Sequence, residues 1–253
     1  MDDEKYSIKS VTRCLKILDM AGNFDRPLTV NDVCDALDIN INMAFRMLST
    51  LVAAGYMAKD EKSGFYSVSL RALHLSKNAL LSLDIRKFAM PYLEMLWNQY
   101  PKANVNLAIY YEDEVMLIDR IYSLDIPRTF FYPGKTVPFH CTGLGKVLTS
   151  ELCEAELDRL IAKKGLKEYT PKTITDPSAL KEELAKVRAE HLARDREEFI
   201  IEDNCNAVPI RDHEGKLVAA ISLTAFESNM SVQEIEDTIP ALRNTGHCIS
   251  NTM

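Results

Sequence analysis

Apolar positions recur with a helical period early in the chain. Val30, Val33, Cys34 and Leu37 stand at i, i+3, i+4 and i+7, one face of a short helix. Thr29-Val-Asn-Asp32 opens it as a Thr-x-x-acid cap. Asp38-Ile-Asn40 predicts a turn, with Ile39 as a plug between two helices and Asn40 or Asn42 as the next cap. Ile41, Ala44, Met47, Leu48, Leu51 and Val52 keep the helical period up to Gly55, a natural residue just past a helix end. The period then shortens. Tyr56-Met-Ala-Lys59 and Phe65-Tyr-Ser-Val68 flank the charged turn from Asp60 to Gly64 and predict a hairpin. Two helices, a turn and a hairpin in that order predict a winged helix-turn-helix over 27–68, and hence binding to double-stranded DNA.

A generic pair of packed helices with a hairpin is the simpler alternative. The outer face of the second helix favours DNA. Asn42, Met43, Phe45, Arg46 and Ser49 lie off its apolar stripe, and such groups read base edges. Arg46 is the only cation on that helix; it can fork onto a guanine or onto a phosphate. Charge tempers the picture, because residues 1–82 hold ten Lys/Arg against ten Asp/Glu and the net −7 belongs to the remainder. Placement matters more: Lys59 and Lys62 flank the wing, and Lys5, Lys9 and Arg13 cluster near the start.

A helix over 8–21, carrying Val11, Cys14, Leu15, Leu18 and Met20, is expected to pack on this core. Leu70 to Leu83 is apolar around much of its circumference, which suits a buried helix or a seam between two copies. The chain therefore divides into a DNA-binding domain (1–69), a linking or dimerisation helix (70–83) and a second domain (84–253). One recognition helix per chain implies a homodimer, or a dimer of dimers, on a near-palindromic site.

In the second domain the pattern predicts a helix from Asp84 to Tyr100, bent or split at Pro91. Strands follow over 103–111 and 114–122, joined by Glu112-Asp113, with a further strand and loop in 128–139. Short helices are expected over 142–150 and 154–163, and Asp176-Pro177 starts a helix running through His191. Strands over 198–210 and 216–226 precede a closing helix opened by Ser231-x-x-Glu234. The sum is a mixed sheet with helices on its faces, an architecture that commonly holds a small-molecule pocket.

Composition adds bounds. At 253 residues with 47% hydrophobic and 26% charged content, the chain suits two ordinary globular domains. No stretch approaches the ~20 apolar residues of a membrane span, and Met-Asp-Asp-Glu-Lys opposes a secretory signal, so a cytoplasmic protein without a membrane partner is expected. The six cysteines are scattered without C-x-x-C spacing, which favours reduced structural thiols.

Candidate chemistry is sparse. His140-Cys-Thr-Gly-Leu-Gly-Lys146 lacks the Walker spacing and reads as a glycine turn opening a short helix, whose N–H groups can hold an anion. Ser222 and Thr224, two apart on a strand, project from one face, with Cys205 on the neighbouring strand. A cross-strand partner satisfies those hydroxyls as readily as a ligand does. His140, Cys205 and Asp195 also contain the residue types of a thiol hydrolase, an alternative that needs all three to be adjacent. No cofactor is called for, and no metal is required, although His140 and Cys205 leave a metal conceivable.

These blocks, with Asp195-Arg-Glu-Glu198 and the run from Cys205 to Ser222, together resemble the IclR family of bacterial transcriptional regulators over nearly the whole chain. The resemblance implies an α+β protein: a winged helix-turn-helix, a linking helix and a GAF-like α/β effector-binding domain, assembled as dimers or pairs of dimers. It implies a small organic acid as effector, held by the backbone N–H groups of Gly143 and Leu144 and by Asp195, Cys205, Ser222 and Thr224. It also implies a recognition helix over Asn42 to Leu51, with Arg46 at the usual arginine. Two departures stand out. His191-Leu-Ala193 replaces the family's Gly-aromatic-Ala, and Ala225-Phe226 replaces its Gly-Pro, which puts the identity of the ligand in question. Repression and activation are both open, and a ligand-free dimerisation domain is the alternative.

Overall fold

The computed structural model describes residues 6–24, 26–124 and 131–253. The chain divides into two compact units, up to Ser82 and from Leu83. Among the described residues no helix is long and apolar enough to cross a membrane.

The first unit holds α1 (Lys9–Asn23), α2 (Val30–Leu37), α3 (Ile41–Ala53), β1 (Met57–Lys59), β2 (Tyr66–Val68) and α4 (Ala72–Leu81). Its helices start where the sequence supplies caps. Thr29 and Asp32 form a reciprocal capping box on α2, and Asn40 Oδ1 accepts from the Met43 amide at the start of α3. Asp38 in a left-handed conformation ends α2 and makes the tight turn. Antiparallel β1 and β2 form the wing, with Gly64 at φ 73° in its turn, and Leu28 bridges to Tyr66 beside it. Leu28, Val33, Ala44, Leu48 and Tyr66 fill the core.

Three expectations shift here. On α1, Ile17 is buried with Cys14, Leu18 and Ala21 packed around it, whereas Val11 and Leu15 are more than half exposed. The i, i+3, i+4, i+7 stripe starts at Cys14, which turns Val11 and Leu15 outward. Ile41, first residue of α3, is exposed rather than part of the stripe. Helix α4 is shorter than 70–83, since Leu83 already caps the next helix with extended backbone.

The second unit is built on a six-stranded sheet in the order β5-β4-β3-β8-β7-β6. Its strands are β3 (Asn104–Tyr111), β4 (Glu114–Ile121), β5 (Thr136–Val137), β6 (Ala193–Arg196), β7 (Asp203–Arg211) and β8 (Leu217–Phe226). Every pairing is antiparallel, so the expected mixed sheet is corrected. Hairpins β3–β4, β6–β7 and β7–β8 account for this, because none needs a parallel crossover. The strand expected over 198–210 starts only at Asp203. Residues 197–202 are instead the turn after β6, with Glu197 and Glu202 at positive φ. The expectation for 128–139 reduces to the two-residue β5, and its part at 128–130 lies outside the described residues.

Helices α5 (Asp84–Gln99), α9 (Val232–Asp237) and α10 (Ile239–Ser250) contact the sheet. Pro91 sits inside α5 without splitting it. Helices α6 (Gly143–Thr149), α7 (Glu154–Lys164) and α8 (Pro177–Glu190) complete the chain order. Leu144, Val147 and Leu148 of α6, Leu157 and Leu160 of α7 and Leu180 and Leu184 of α8 form one core with sheet residues such as Ala193 and Ala207.

Candidate functional site

The sheet register brings distant residues into two rows. In one, Asp195 opposes Cys205, which opposes Thr224. In the next, Ala207 opposes Ser222, Ser222 opposes Asn106, and Asn106 opposes Arg120. Opposed residues project the same way, and so do residues two apart on a strand, so both rows share one face. A cavity of about 40 Å³ lies there, lined by Gly143, Leu144, Asp195, Cys205, Ser222 and Thr224. Asn106, Arg120 and Asp203 complete its polar wall, and Phe131 and Phe199 edge it.

Close approach of α6 depends on glycine. A Cβ on Gly145 would stand 2.5 Å from the Phe139 carbonyl oxygen and 2.6 Å from that of Pro138. A Cβ on Gly143 would stand 3.1 Å from Cys205 Sγ and from Ala207 Cβ. The Gly145 amide donates to the Thr142 hydroxyl, which caps the helix. The amides of Gly143 and Leu144, the first two of α6, have no acceptor within the helix.

The hydroxyls have protein partners. Ser222 Oγ accepts from Asn106 Nδ2 at 3.0 Å, and Asn106 Oδ1 accepts from Arg120 Nη1 at 2.9 Å. Thr224 Oγ1 lies 3.1 Å from Asp203 Oδ1 and 3.2 Å from the Asn204 carbonyl, and donates to them. Burial, reinforced by the nearby Glu198 carboxylate, holds the Asp195 carboxyl well above the usual carboxylate range, although its Oδ1 accepts from the Glu198 amide. Burial likewise pushes Asp203 up to about 6, against the pull of Thr224 and Arg120.

Of the residues of the hydrolase alternative, Asp195 and Cys205 meet across the β6–β7 pair, but His140 does not join them. His140 is buried outside this cavity, with Nε2 bonded to the Lys167 carbonyl at 3.0 Å. Burial pushes the Cys205 thiol up to about 12, helped by Asp195 and Asp203, the opposite of nucleophile activation.

In the first unit Asn42, Met43, Phe45 and Arg46 are exposed on α3, opposite its buried Ala44, Met47, Leu48 and Leu51, and Ser49 is half-buried. Arg13 Nη1 contacts Met43 Sδ at 3.3 Å, which brings a cation of α1 beside α3. Lys59 is half-buried and paired with Glu61, while Lys62 stands exposed in the wing turn.

Sequence patterning does not single out Asn106, Arg120 or Asp203, and marks Lys146 only as the end of the glycine turn; all four shape this site. Polar residues inside otherwise apolar strands, as in Val105-Asn-Leu107, were the available signal for the first two. Lys146 is 1% exposed on α6, and its Nζ donates to Glu198 Oε1 and to the Arg194 carbonyl.

Comparison with known proteins agrees with this architecture. Residues 77–251 match the model for the bacterial transcriptional regulator IclR C-terminal domain, and residues 10–61 match the IclR helix-turn-helix domain. The HTH-type transcriptional repressor AllR of Escherichia coli K12 is 29% identical over 89% of this chain and 83% of its own length. A regulator structure from Rhodococcus sp. RHA1 is 28% identical with a TM-score of 0.78, covering 97% of this chain and 98% of that one. The inducer-binding domain of a PobR double mutant from Acinetobacter, solved with 3-hydroxybenzoic acid, is 30% identical with a TM-score of 0.61. It covers 66% of this chain and 98% of that domain. This chain belongs to the IclR family and is a DNA-binding transcriptional regulator.

Proposed function

We propose that this regulator senses a small carboxylic acid in the cavity beside α6, and that occupancy changes its affinity for a near-palindromic operator bound by a homodimer or a dimer of dimers. The observation that carries the reading is the convergence of Gly143, Leu144, Asp195, Cys205, Ser222 and Thr224 on one cavity. The two helix-start amides suit a carboxylate, and Ser222 and Thr224 suit a carbonyl or hydroxyl beside it. Burial raises both the Asp195 carboxyl and the Cys205 thiol, which favours their neutral forms, so that they contribute shape and donors beside an anion. The aromatic acid bound by the PobR domain supports an acid as the ligand class.

At about 40 Å³ the cavity is far below the several hundred Å³ of drug-sized sites, so an acid must displace lining side chains. That requirement is what couples binding to conformation: an effector acts through its differential affinity for the DNA-competent state, commonly ~1–3 kcal/mol. On DNA, Asn42, Met43, Phe45, Arg46 and Ser49 face the major groove, and Lys59 and Lys62 serve the wing. Leu70, Leu73, Leu75 and Leu81, all exposed on and beside α4, support that helix as the dimer seam in the three-part organisation 1–69, 70–83 and 84–253.

A thermal-shift screen of keto, hydroxy, sugar and aromatic acids tests the reading, followed by operator binding with and without each hit. Hits should weaken or vanish in Ser222→Ala/Thr224→Val. Hits undiminished in that variant would put the pocket elsewhere, and turnover of a hit that is lost in Cys205→Ser would restore the hydrolase.

A further inference from the structure

Ile41, expected in the core stripe of α3, is 58% exposed, and Phe45, one turn further on, is 50% exposed. Asn40 caps α3 through the Met43 amide, which fixes Ile41 as the first helical residue and Asn42 as the second. At about 100° per residue, Ile41 and Phe45 share one stripe, and Asn42 and Arg46 share the stripe beside it. Ala44, Met47, Leu48 and Leu51 take the remaining arc and are buried. Met43 closes the far edge of the exposed face, its sulfur against Arg13. The first two turns of α3 thus carry an apolar pair and a polar pair side by side.

The surroundings of this face suit a polyanion. Among the described residues, the groove between α1 and α3 is lined by Lys9, Arg13 and Arg46 and by no carboxylate. Elsewhere in the unit Arg26 is paired with Asp32, and Lys59 with Glu61. The neutral total of residues 1–82 therefore hides a local positive surplus beside α3. On DNA the polar pair has an evident use, because asparagine forks onto adenine and arginine onto guanine. The apolar pair has one counterpart there: the C5 methyl of thymine is the apolar group that the major groove presents. Single exposed apolar residues are ordinary on a protein surface. Two of them one turn apart, beside Asn42 and Arg46, form a contact strip.

We propose that Ile41 and Phe45 read the 5-methyl groups of two thymines in each operator half-site, so that apolar contact sets part of the base preference of this chain. The inference rests on the reading of α3 as the helix that enters the major groove. Side chains one turn apart stand about 5–6 Å from each other. Bases follow one another at ~3.4 Å along a strand, so the two thymines lie within two base steps. An A·T pair offers the adenine edge and the thymine methyl in the same groove, and Asn42 on the neighbouring stripe suits that adenine.

Selection of bound duplexes from a random pool by the full chain yields the half-site. Deoxyuridine in place of each thymine then removes a methyl and no hydrogen-bonding group. Two thymines within two steps should each lose roughly fourfold in affinity on this replacement, the value of one buried carbon. In Ile41→Ala and in Phe45→Ala, with the unfolding midpoint unchanged, the loss at one of those thymines should disappear. A parent protein indifferent to deoxyuridine throughout the half-site overturns the assignment. So do losses that persist in a folded Ile41→Ala/Phe45→Ala variant. The reading of α3 fails separately, and takes this inference with it, if Asn42→Ala and Arg46→Ala both bind the selected duplex as tightly as the parent.

Discussion

Lys146 on α6 and Glu198 in the β6–β7 turn meet as a buried ion pair, Nζ donating to Oε1 at 2.5 Å. The same ammonium reaches the Arg194 carbonyl at 2.8 Å and Glu183 at 3.4 Å, so its three protons are all used. The Glu198 amide in turn donates to Asp195 Oδ1 at 2.8 Å. The helix that carries Gly143 and Leu144 is thus tied to the strand that carries Asp195, and both sides of the cavity hold their spacing. Removing one partner of such a pair strands the other charge. Lys146→Met should cost about 2–4 kcal/mol in urea unfolding, and adding Glu198→Gln should restore part of it. A loss below about 1 kcal/mol in the single variant would show that the pair does not brace the site.

Gly145 is the tighter of the two glycines of α6. Its missing Cβ would meet the backbone carbonyls of Phe139 and Pro138, which cannot swing aside as a side chain can. Gly145→Ala should lose about 2–4 kcal/mol of stability despite the higher helix propensity of alanine. Gly143→Ala meets the Cys205 and Ala207 side chains at 3.1 Å and should cost less. Thermal unfolding of the two variants checks the order.

Asp203 links stability to pH. Its folded value of about 6 lies above that of an unfolded aspartate, so the native state binds the extra proton in the window between them. Stability from this group therefore falls as pH rises from about 4 to about 6, and stays lower above. The full span corresponds to about 3 kcal/mol, which partial solvent access through the cavity reduces to about 1–2. Asp203→Asn keeps an acceptor for Thr224 and should be more stable than the parent at pH 7.5, with the difference closing toward pH 4. Unfolding midpoints across that range would refute the assignment if the two curves ran parallel.

Arg46 is exposed, while Ala44, Met47, Leu48 and Leu51 of the same helix are buried. Arg46→Ala should leave the unfolding midpoint unchanged and weaken operator binding by about 1–3 kcal/mol if the guanidinium reads a base. If it holds a phosphate, the loss should be equal on operator and random duplex, with a shallower salt dependence. Binding as tight as the parent's would misplace the recognition helix.

The amino-acid sequence by itself determined the local elements of this protein. Thr29, Asn40, Asp176 and Ser231 each cap a helix through contacts three residues away, and the stripes of α2 and α3 close a core within a few turns. Such interactions need no knowledge of the rest of the chain. The glycines of α6 and the shared face of Ser222 and Thr224 could be read in the same way. Tertiary structure decided the sheet and the wall of the cavity. Strand β6, Ala-Arg-Asp-Arg, carries no strand signature and exists because it pairs with β7. Asn106 and Ser222, 116 residues apart, meet only through the β3–β8 register, and that register alone brings Arg120 to the site. The physical reason is range: caps and stripes are enforced within one turn or two, whereas a buried polar row depends on which strands lie side by side.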